Sequence, residues 1–210
     1  MKAILFDLDG VIVATEPYHF QAWRTALRRE GIPFDQDIYE NLRGLSRKDT
    51  LEKILLLKGR KRGKKEKQEI LEEKNRLYVS SLSSLSEKDI LPGFRSFLSL
   101  AKEKKRKCAV ASSSKNARAV LKKLGLLSDF DAITDGNEIA KAKPDPEVFL
   151  LAAEKLGVSD KDCRVIEDGK AGIEAAKKAG RRAVGIKEGA KSPLADYRFS
   201  SFDERRTLLK

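Results

Sequence analysis

From Ile90 onward the chain alternates between short apolar runs and amphipathic helical segments, and that alternation constrains its fold more than any other feature. Lys107 to Ala111, Ala132 to Thr134, Arg164 to Ile166 and Arg182 to Ile186 each read as a short strand. Helical patterns lie between them. Pro92-Gly93 opens one that runs to about Lys105, and Val120, Leu121 and Leu124 give the next its apolar face before Gly125. Glu147 to Leu156 forms a third, and Ala171 to Ala179 a fourth closed by Gly180. Repeated strand–helix–strand units build a parallel sheet with right-handed crossovers. Tyr197 to Phe199 is expected to add an edge strand, followed by a last short helix.

The first strand stands apart from the others. Lys2 to Leu8, KAILFDL, is an apolar run that stops at Asp9-Gly10-Val11, the pattern of a buried strand feeding a tight loop. Side chains two apart on a strand share a face, about 6–7 Å apart. Asp7 and Asp9 are therefore expected to emerge together at its carboxyl end, with Phe6 and Leu8 turned toward packing. In open α/β sheets that end is where ligands bind.

The next stretch is helical throughout. Thr15 is placed to cap a helix that ends near Gly31, with Glu16 and Pro17 in its first turn. Tyr18, Ala22 and Ala26 form one stripe of it, and His19, Trp23 and Leu27 the next. A short helix is expected around 35–42. Ser46-Arg47-Lys48-Asp49 has the Ser-x-x-acid form of a helix start, and Leu51, Ile54 and Leu55 supply that helix's apolar face before Gly59. Ile70, Leu71, Leu77, Tyr78 and Leu82 mark the buried side of a helix from about 64 to 82, and Ser80 to Ser86 reads as a return linker. The predicted organisation is an α/β, Rossmann-like parallel-sheet core at 1–14 and 87–210, with an all-helical cap domain inserted at 15–86 after the first strand.

Composition narrows the function. The chain's 210 residues suit one domain with a small insertion. No apolar stretch is long enough for a membrane helix, and Asp7 and Asp9 interrupt the N-terminal run that would otherwise resemble a signal peptide. Cys108 and Cys163 fall in predicted buried strands and read as reduced packing thiols, which suits a cytoplasmic protein. The net charge is +12, partly concentrated in Lys58 to Lys67, KGRKRGKKEK. That run has no interleaved aromatics and no neighbouring binding motif, so it reads as a solvated loop rather than a nucleic-acid patch. Its glycine spacing, with no Ser or Thr after the Lys, excludes a P-loop. A general basic field favours anionic, phosphorylated substrates. The expectation is a monomer with a small-molecule partner and neither nucleic acid nor membrane.

Four predicted strand ends carry groups suited to phosphate chemistry. Asp7 and Asp9 are loop acids, a structural metal clip, or a nucleophile and an acid/base whose charge Mg²⁺ offsets. Ser112, with Ser113, Ser114, Lys115 and Asn116 behind it, offers short hydroxyls at a helix start for phosphate oxygens. Lys143, held by Pro144, is a point charge for phosphate, and Glu167 and Asp168 are further hard ligands. In the cap, the N–H groups of Gly44 to Arg47 and the Arg47 guanidinium make an anion site, unless they belong to an ordinary capped helix. Lys74 lies one turn from both Ile70 and Tyr78; it either snorkels to water or points into a pocket. His19, the only histidine, is either a packed residue or a gate over the active site.

Taken in order, these motifs resemble the haloacid dehalogenase-like phosphotransferases, in the branch with a helical cap after the first strand. Within that branch the chain is similar to the β-phosphoglucomutases. DLDGV at Asp7 to Val11 and the Ser, Lys and acidic-pair loops are the general motifs. YHFQAW at Tyr18 to Trp23, RGLSRKDTL at Arg43 to Leu51, ASSSKN at Ala111 to Asn116 and EDGKAGI at Glu167 to Ile173 are the more specific ones.

The resemblance implies a Mg²⁺-dependent isomerase interconverting β-D-glucose 1-phosphate and β-D-glucose 6-phosphate. It implies an aspartyl-phosphate, with β-D-glucose 1,6-bisphosphate formed and consumed on the way. Asp7 would be the nucleophile, and Asp9 the general acid/base, which also gives a backbone oxygen to the metal. Asp7, Glu167 and Asp168 would complete the metal site. Ser112 and Lys143 would hold the transferring phosphoryl group, and Arg47, Ser114, Lys115 and Asn116 the other phosphate. His19, Trp23, Gly44, Leu45 and Lys74 would contact the sugar or gate Asp9, and Thr15 would serve the hinge.

The chain departs from the family pattern in two places. Ala14 stands where an acid usually precedes the Thr, and Gly169-Lys170 stands where a Ser usually follows the acidic pair. Because Ala14 sits at the hinge, a Mg²⁺-dependent sugar phosphatase of the same fold is the alternative function. A basic nucleic-acid-binding protein is the third.

Overall fold

The computed structural model describes residues 1–204 and Leu209. The strands are β1 Ala3–Phe6, β2 Lys107–Ala111, β3 Ala132–Thr134, β4 Cys163–Glu167, β5 Arg182–Ile186 and β6 Tyr197–Phe199. They pair in parallel in the order β3-β2-β1-β4-β5-β6. All of β1 is buried, as a central parallel strand requires. Its alternation sorts the core into two layers. Ile4 and Phe6 pack with α5 Phe94–Glu103 and α6 Ala117–Lys123, while Ala3 and Leu5 face α7 Glu147–Leu156 and α8 Lys170–Lys178. Phe6 meets the edges of Phe94, Phe97 and Phe130 at centroid distances of 5.6, 5.9 and 6.1 Å, an aromatic seam directly beneath the carboxyl end of β1.

Helices α1 Glu16–Arg29, α2 Gln36–Asn41, α3 Arg47–Leu57 and α4 Lys64–Ser81 follow β1 as predicted, and they build a hydrophobic cluster of their own from Trp23, Leu27, Tyr39, Leu51, Ile54 and Ile70. The chain enters and leaves this helical layer at one place. Val13 and Ile90 form an antiparallel bridge, Leu91 N–H donates to the Ile12 carbonyl at 2.9 Å, and Ala14 N–H donates to the Asp89 carbonyl at 2.7 Å. Tyr18 of α1 reaches the same spot, its hydroxyl donating to the Asp89 carboxylate at 3.1 Å.

Several local expectations are corrected. β1 stops at Phe6, because the chain turns at Gly10 (φ +84°) and brings Asp9 opposite Val13. Thr15 does sit before α1, but its hydroxyl is given to Asp9 and caps no helical N–H. α6 begins at Ala117, several residues beyond Ser112: the Ser112 and Ser114 hydroxyls accept the Ser114 and Asn116 N–H groups and hold the segment as a turn-rich loop. The return linker is two 3₁₀ turns, Leu82–Ser84 and Glu87–Asp89, anchored by Leu82 and Leu85 in the main core. β6 is followed by a 3₁₀ turn at Phe202–Glu204, and the rest of the expected last helix lies outside the described residues. Cys108 and Cys163 are buried thiols. Among the described residues no helix is long and apolar enough to cross a membrane.

Candidate active site

Strand order reverses direction between β1 and β4, the position at which open α/β sheets leave a crevice. Asp7 follows β1 there, and Glu167 and Asp168 end β4. All three are buried, and their carboxylate oxygens lie within 4.8 Å of one another. Charges of one sign at that spacing in a dry site need cations.

Two protein cations meet them. Lys143 Nζ, itself buried, donates to Asp7 Oδ1 at 2.6 Å, to the Ala111 carbonyl at 3.1 Å and to Glu167. Arg43, reaching across from the cap, donates to Asp168. Compensation is incomplete. Burial, then the Glu167 charge, pushes the Asp7 carboxyl well above its ordinary range. Burial pushes Asp168 up to about 7 despite Arg43. Burial works against the Lys143 ammonium, yet Asp7 and Glu167 hold it above the usual lysine value.

Two glycines make room for these acids. A Cβ on Gly172 would stand 2.0 Å from the Glu167 carboxyl carbon, and one on Gly10 would stand 1.9 Å from Asp168 Oδ2. Three clustered hard oxygen donors, two of them pushed toward the neutral form, fit a divalent cation of the Mg²⁺ kind.

Asp9 faces elsewhere. The sequence places its carboxylate beside that of Asp7, but the turn at Gly10 hands it to α1: Thr15 Oγ1 donates to Asp9 Oδ1 at 2.5 Å, and His19 Nε2 lies 3.3 Å from the same oxygen. His19 Nδ1 is 2.8 Å from Lys74 Nζ. Lys74 does not snorkel to water; it is 3% exposed. An ammonium has no acceptor, so Lys74 donates to Nδ1, and the ring carries its proton on Nε2, aimed at Asp9.

The electrostatics follow from burial. Burial, then the Arg47 charge, brings Lys74 down to about 7. Burial and the Lys74 charge hold His19 below its ordinary value. For Asp9 burial favours the neutral form, but His19, Thr15 and Lys74 outweigh it and keep the carboxyl below its usual range.

A cavity of about 900 Å³ joins these groups. Of the residues singled out from the sequence, Asp7, Asp9, His19, Trp23, Gly44, Leu45, Arg47, Lys74, Ser112, Ser114, Lys115, Asn116, Lys143 and Asp168 all line it. Glu167 lies in contact with Lys143, and Thr15 is reached through Asp9. Ser46 Oγ accepts the Asp49 N–H at 3.1 Å, so α3 has its expected cap, with Arg47 at its first position. Trp23 packs into the cap's own core, with its ring 5.5 Å from Lys74 Nζ. Asn116 Nδ2 donates to Asn75 Oδ1 of α4 at 2.9 Å, tying the core loop to the cap.

Sequence reasoning missed Arg43, Glu16 and Lys187. Glu16 accepts from Arg43 at 2.8 Å and from Lys187, in the core after β5, at 2.7 Å. With Asp168 they form a run of alternating charge from core to cap and back. Arg43 sits inside a motif that the sequence did single out; nothing local marks Lys187, which folds beside Glu16 from far along the chain.

Residues 1–180 match the family model of the haloacid dehalogenase-like hydrolases. The chain is 48% identical over 191 residues to a β-phosphoglucomutase from Bacillus subtilis (strain 168), covering 90% of this chain and 84% of that one. It is 35% identical over 190 residues to a phosphorylated carbohydrates phosphatase from Thermotoga maritima, covering 89% and 85%. Among solved structures it superposes on a β-phosphoglucomutase from Clostridium difficile with a TM-score of 0.91 and 39% identity, covering 97% of this chain and 92% of that one.

Proposed function

The chain belongs to the haloacid dehalogenase-like hydrolase family, and from that premise we propose that it is a β-phosphoglucomutase. It interconverts β-D-glucose 1-phosphate and β-D-glucose 6-phosphate through β-D-glucose 1,6-bisphosphate. The observation that supports this choice is that one cavity is lined by more side chains able to bind anions than one phosphate needs. Lys143 pairs with Asp7, and Ser112, Arg47, Ser114, Lys115 and Asn116 line the same cavity; on this reading Ser112 serves the transferring phosphoryl group and the other four a second phosphate. A monoester hydrolase needs only the first of these places; a sugar bisphosphate fills both. The identity to the Bacillus subtilis enzyme supports the same reading.

In this mechanism a carboxylate oxygen of Asp7 attacks phosphorus, and the bond from phosphorus to the sugar oxygen breaks. Lys143 and Ser112 offset the charge on the phosphoryl oxygens. Asp9, resting as a carboxylate, takes a proton from the sugar hydroxyl that attacks the aspartyl-phosphate and returns it to the sugar oxygen that leaves when Asp7 attacks the other phosphate. Asp7, Glu167, Asp168 and the Asp9 backbone oxygen would hold Mg²⁺, which when bound supplies the positive charge that phosphoryl transfer requires. Arg43 on Asp168 and Asn75 on Asn116 hold the cap against the core and exclude water while the bisphosphate turns over. The proposal includes a small sugar phosphate as ligand, a monomer, and a cytoplasmic setting, which the buried thiols support.

One observation favours hydrolysis as the second reading. The Ala14 side chain adds no polar contact at the hinge, where only its backbone N–H reaches Asp89. ³¹P NMR with β-glucose 1-phosphate, Mg²⁺ and a trace of the bisphosphate separates the two. Glucose 6-phosphate without free phosphate is the expected result; free phosphate as the main product would replace the mutase with a phosphatase. Asp7→Asn is expected to remain unphosphorylated by mass spectrometry under the same conditions, since an amide is a poor nucleophile.

A further inference from the structure

We infer that Tyr78 is a positioning residue for Asp9, acting through the ring of His19. The inference rests on the reading of Asp9 as acid/base and adds a residue to it.

The geometry comes from two one-turn pairs. His19 and Trp23 share a face of α1, and Lys74 and Tyr78 share a face of α4. Where the two helices pack, the four side chains form a closed box. The His19 and Tyr78 rings stack with centroids 4.0 Å apart and planes inclined by 22°. Lys74 Nζ lies 4.8 Å from the Tyr78 centroid and 5.5 Å from that of Trp23, within range of a cation–π attraction.

His19 is held at both ring nitrogens, by Asp9 and by Lys74. Two bonds in the plane of a ring fix where its edges point, but they leave it free to tilt about the line joining them. A flat surface against the face removes that freedom. Tyr78 supplies the surface, and its ring also steadies the ammonium that sets the tautomer. The phenol oxygen takes no part: it is buried and has no hydrogen-bond partner among the described residues. The ring alone therefore does the positioning, and phenylalanine should replace tyrosine without loss.

His19 is the chain's only histidine, so its imidazole ¹⁵N and carbon-bound ¹H signals need no assignment. At one fixed pH the wild type is expected to show the Nε2–H tautomer, with ring protons displaced by the stacked phenol. Tyr78→Phe should keep both the spectrum and kcat. Tyr78→Leu should bring the two nitrogen shifts together and lower kcat about 10-fold or more, leaving KM within about 2-fold.

If Tyr78→Leu does not fold, Tyr78→Met replaces it, and the wild-type ring-proton displacement decides on its own; undisplaced protons would mean that the stack does not form. An unchanged His19 spectrum in the ring-less variant would overturn the inference. So would a Tyr78→Phe enzyme as damaged as Tyr78→Leu, because the hydroxyl would then be the acting group. Should the wild type lack mutase activity, the proposed function falls separately, while the spectra still decide the stack.

Discussion

Gly172 shows how a single atom can decide a candidate metal site. It lies in the first turn of α8, where alanine is the better helix former by about 1 kcal/mol. A Cβ there would nonetheless occupy the place of the Glu167 carboxylate. Gly172→Ala is therefore expected to lower the metal-free melting temperature, because the displaced Glu167 leaves buried Lys143 short of a partner, and to weaken Mg²⁺ activation about 10-fold or more. A Mg²⁺ titration of initial rates beside a thermal melt separates the two effects.

Lys74 carries the opposite trade. Burial has lowered its folded-state pKa to about 7, so the unfolded chain binds a proton that the folded chain resists between that value and the ordinary 10.5. Its stability penalty is complete below about pH 7 and fades as pH rises to 10.5. Lys74→Met should be more stable than wild type at pH 6.5, by an amount on the order of 5 kcal/mol, and the gain should disappear near pH 10, as denaturant melts at the two pH values would show. Turnover should fall, since His19 loses its donor. Residue identities of this kind were legible in the sequence wherever the neighbour was local. Tyr78 lies four residues from Lys74, and the Asp7 motif is contiguous. The aim of the Asp9 carboxylate was not legible, because it depends on the turn that Gly10 makes.

At the scale of elements, the cap is joined to the core by bonds of unequal worth. Lys187 and Glu16 are partly exposed, and an ion pair of that kind contributes about 0–1 kcal/mol. Arg43 and Asp168 are nearly dry, and removing one partner of such a pair leaves a buried charge alone. Lys187→Met is expected to change kcat/KM by less than about 5-fold. Arg43→Met should cost about 10²-fold and raise the share of substrate lost to hydrolysis. Steady-state rates with free phosphate measured in parallel test both.

Helices and strands were legible because their periods are local; α7 lies where its apolar spacing puts it. The start of α6 was not, because the serines before it spend their hydroxyls on backbone N–H groups. The Arg43–Asp168 bond joins residues 125 apart, and no window on the sequence contains it.

The whole molecule adds a field to these contacts. With a net charge of +12, the chain should draw sugar phosphates toward the cavity at low ionic strength and lose that advantage as salt shortens the range of the field. kcat/KM is expected to fall several-fold between about 20 mM and 500 mM salt, with kcat nearly constant. A salt series with an ion of low affinity for phosphate sites measures it, and a flat response would mean that the basic surface plays no part in capture. The sheet order is legible as a class from strand–helix alternation. The order of its middle strands, which sets Asp7 beside Glu167, needs the fold.

The bridge between Val13 and Ile90 has a consequence for how such a molecule can change over time. Because the chain leaves the sheet and returns to it at neighbouring backbone atoms, everything between is a loop with its two ends already closed. A cassette of another length or shape can be spliced in there without altering any crossover of the sheet or the carboxylates at its edge. The carboxylates Asp7, Glu167 and Asp168 thus lie outside the spliced stretch, while Arg43, Arg47 and Lys74 lie within it. A graft across this bridge is expected to exchange the cavity side chains of the helical layer and keep those three carboxylates of the host.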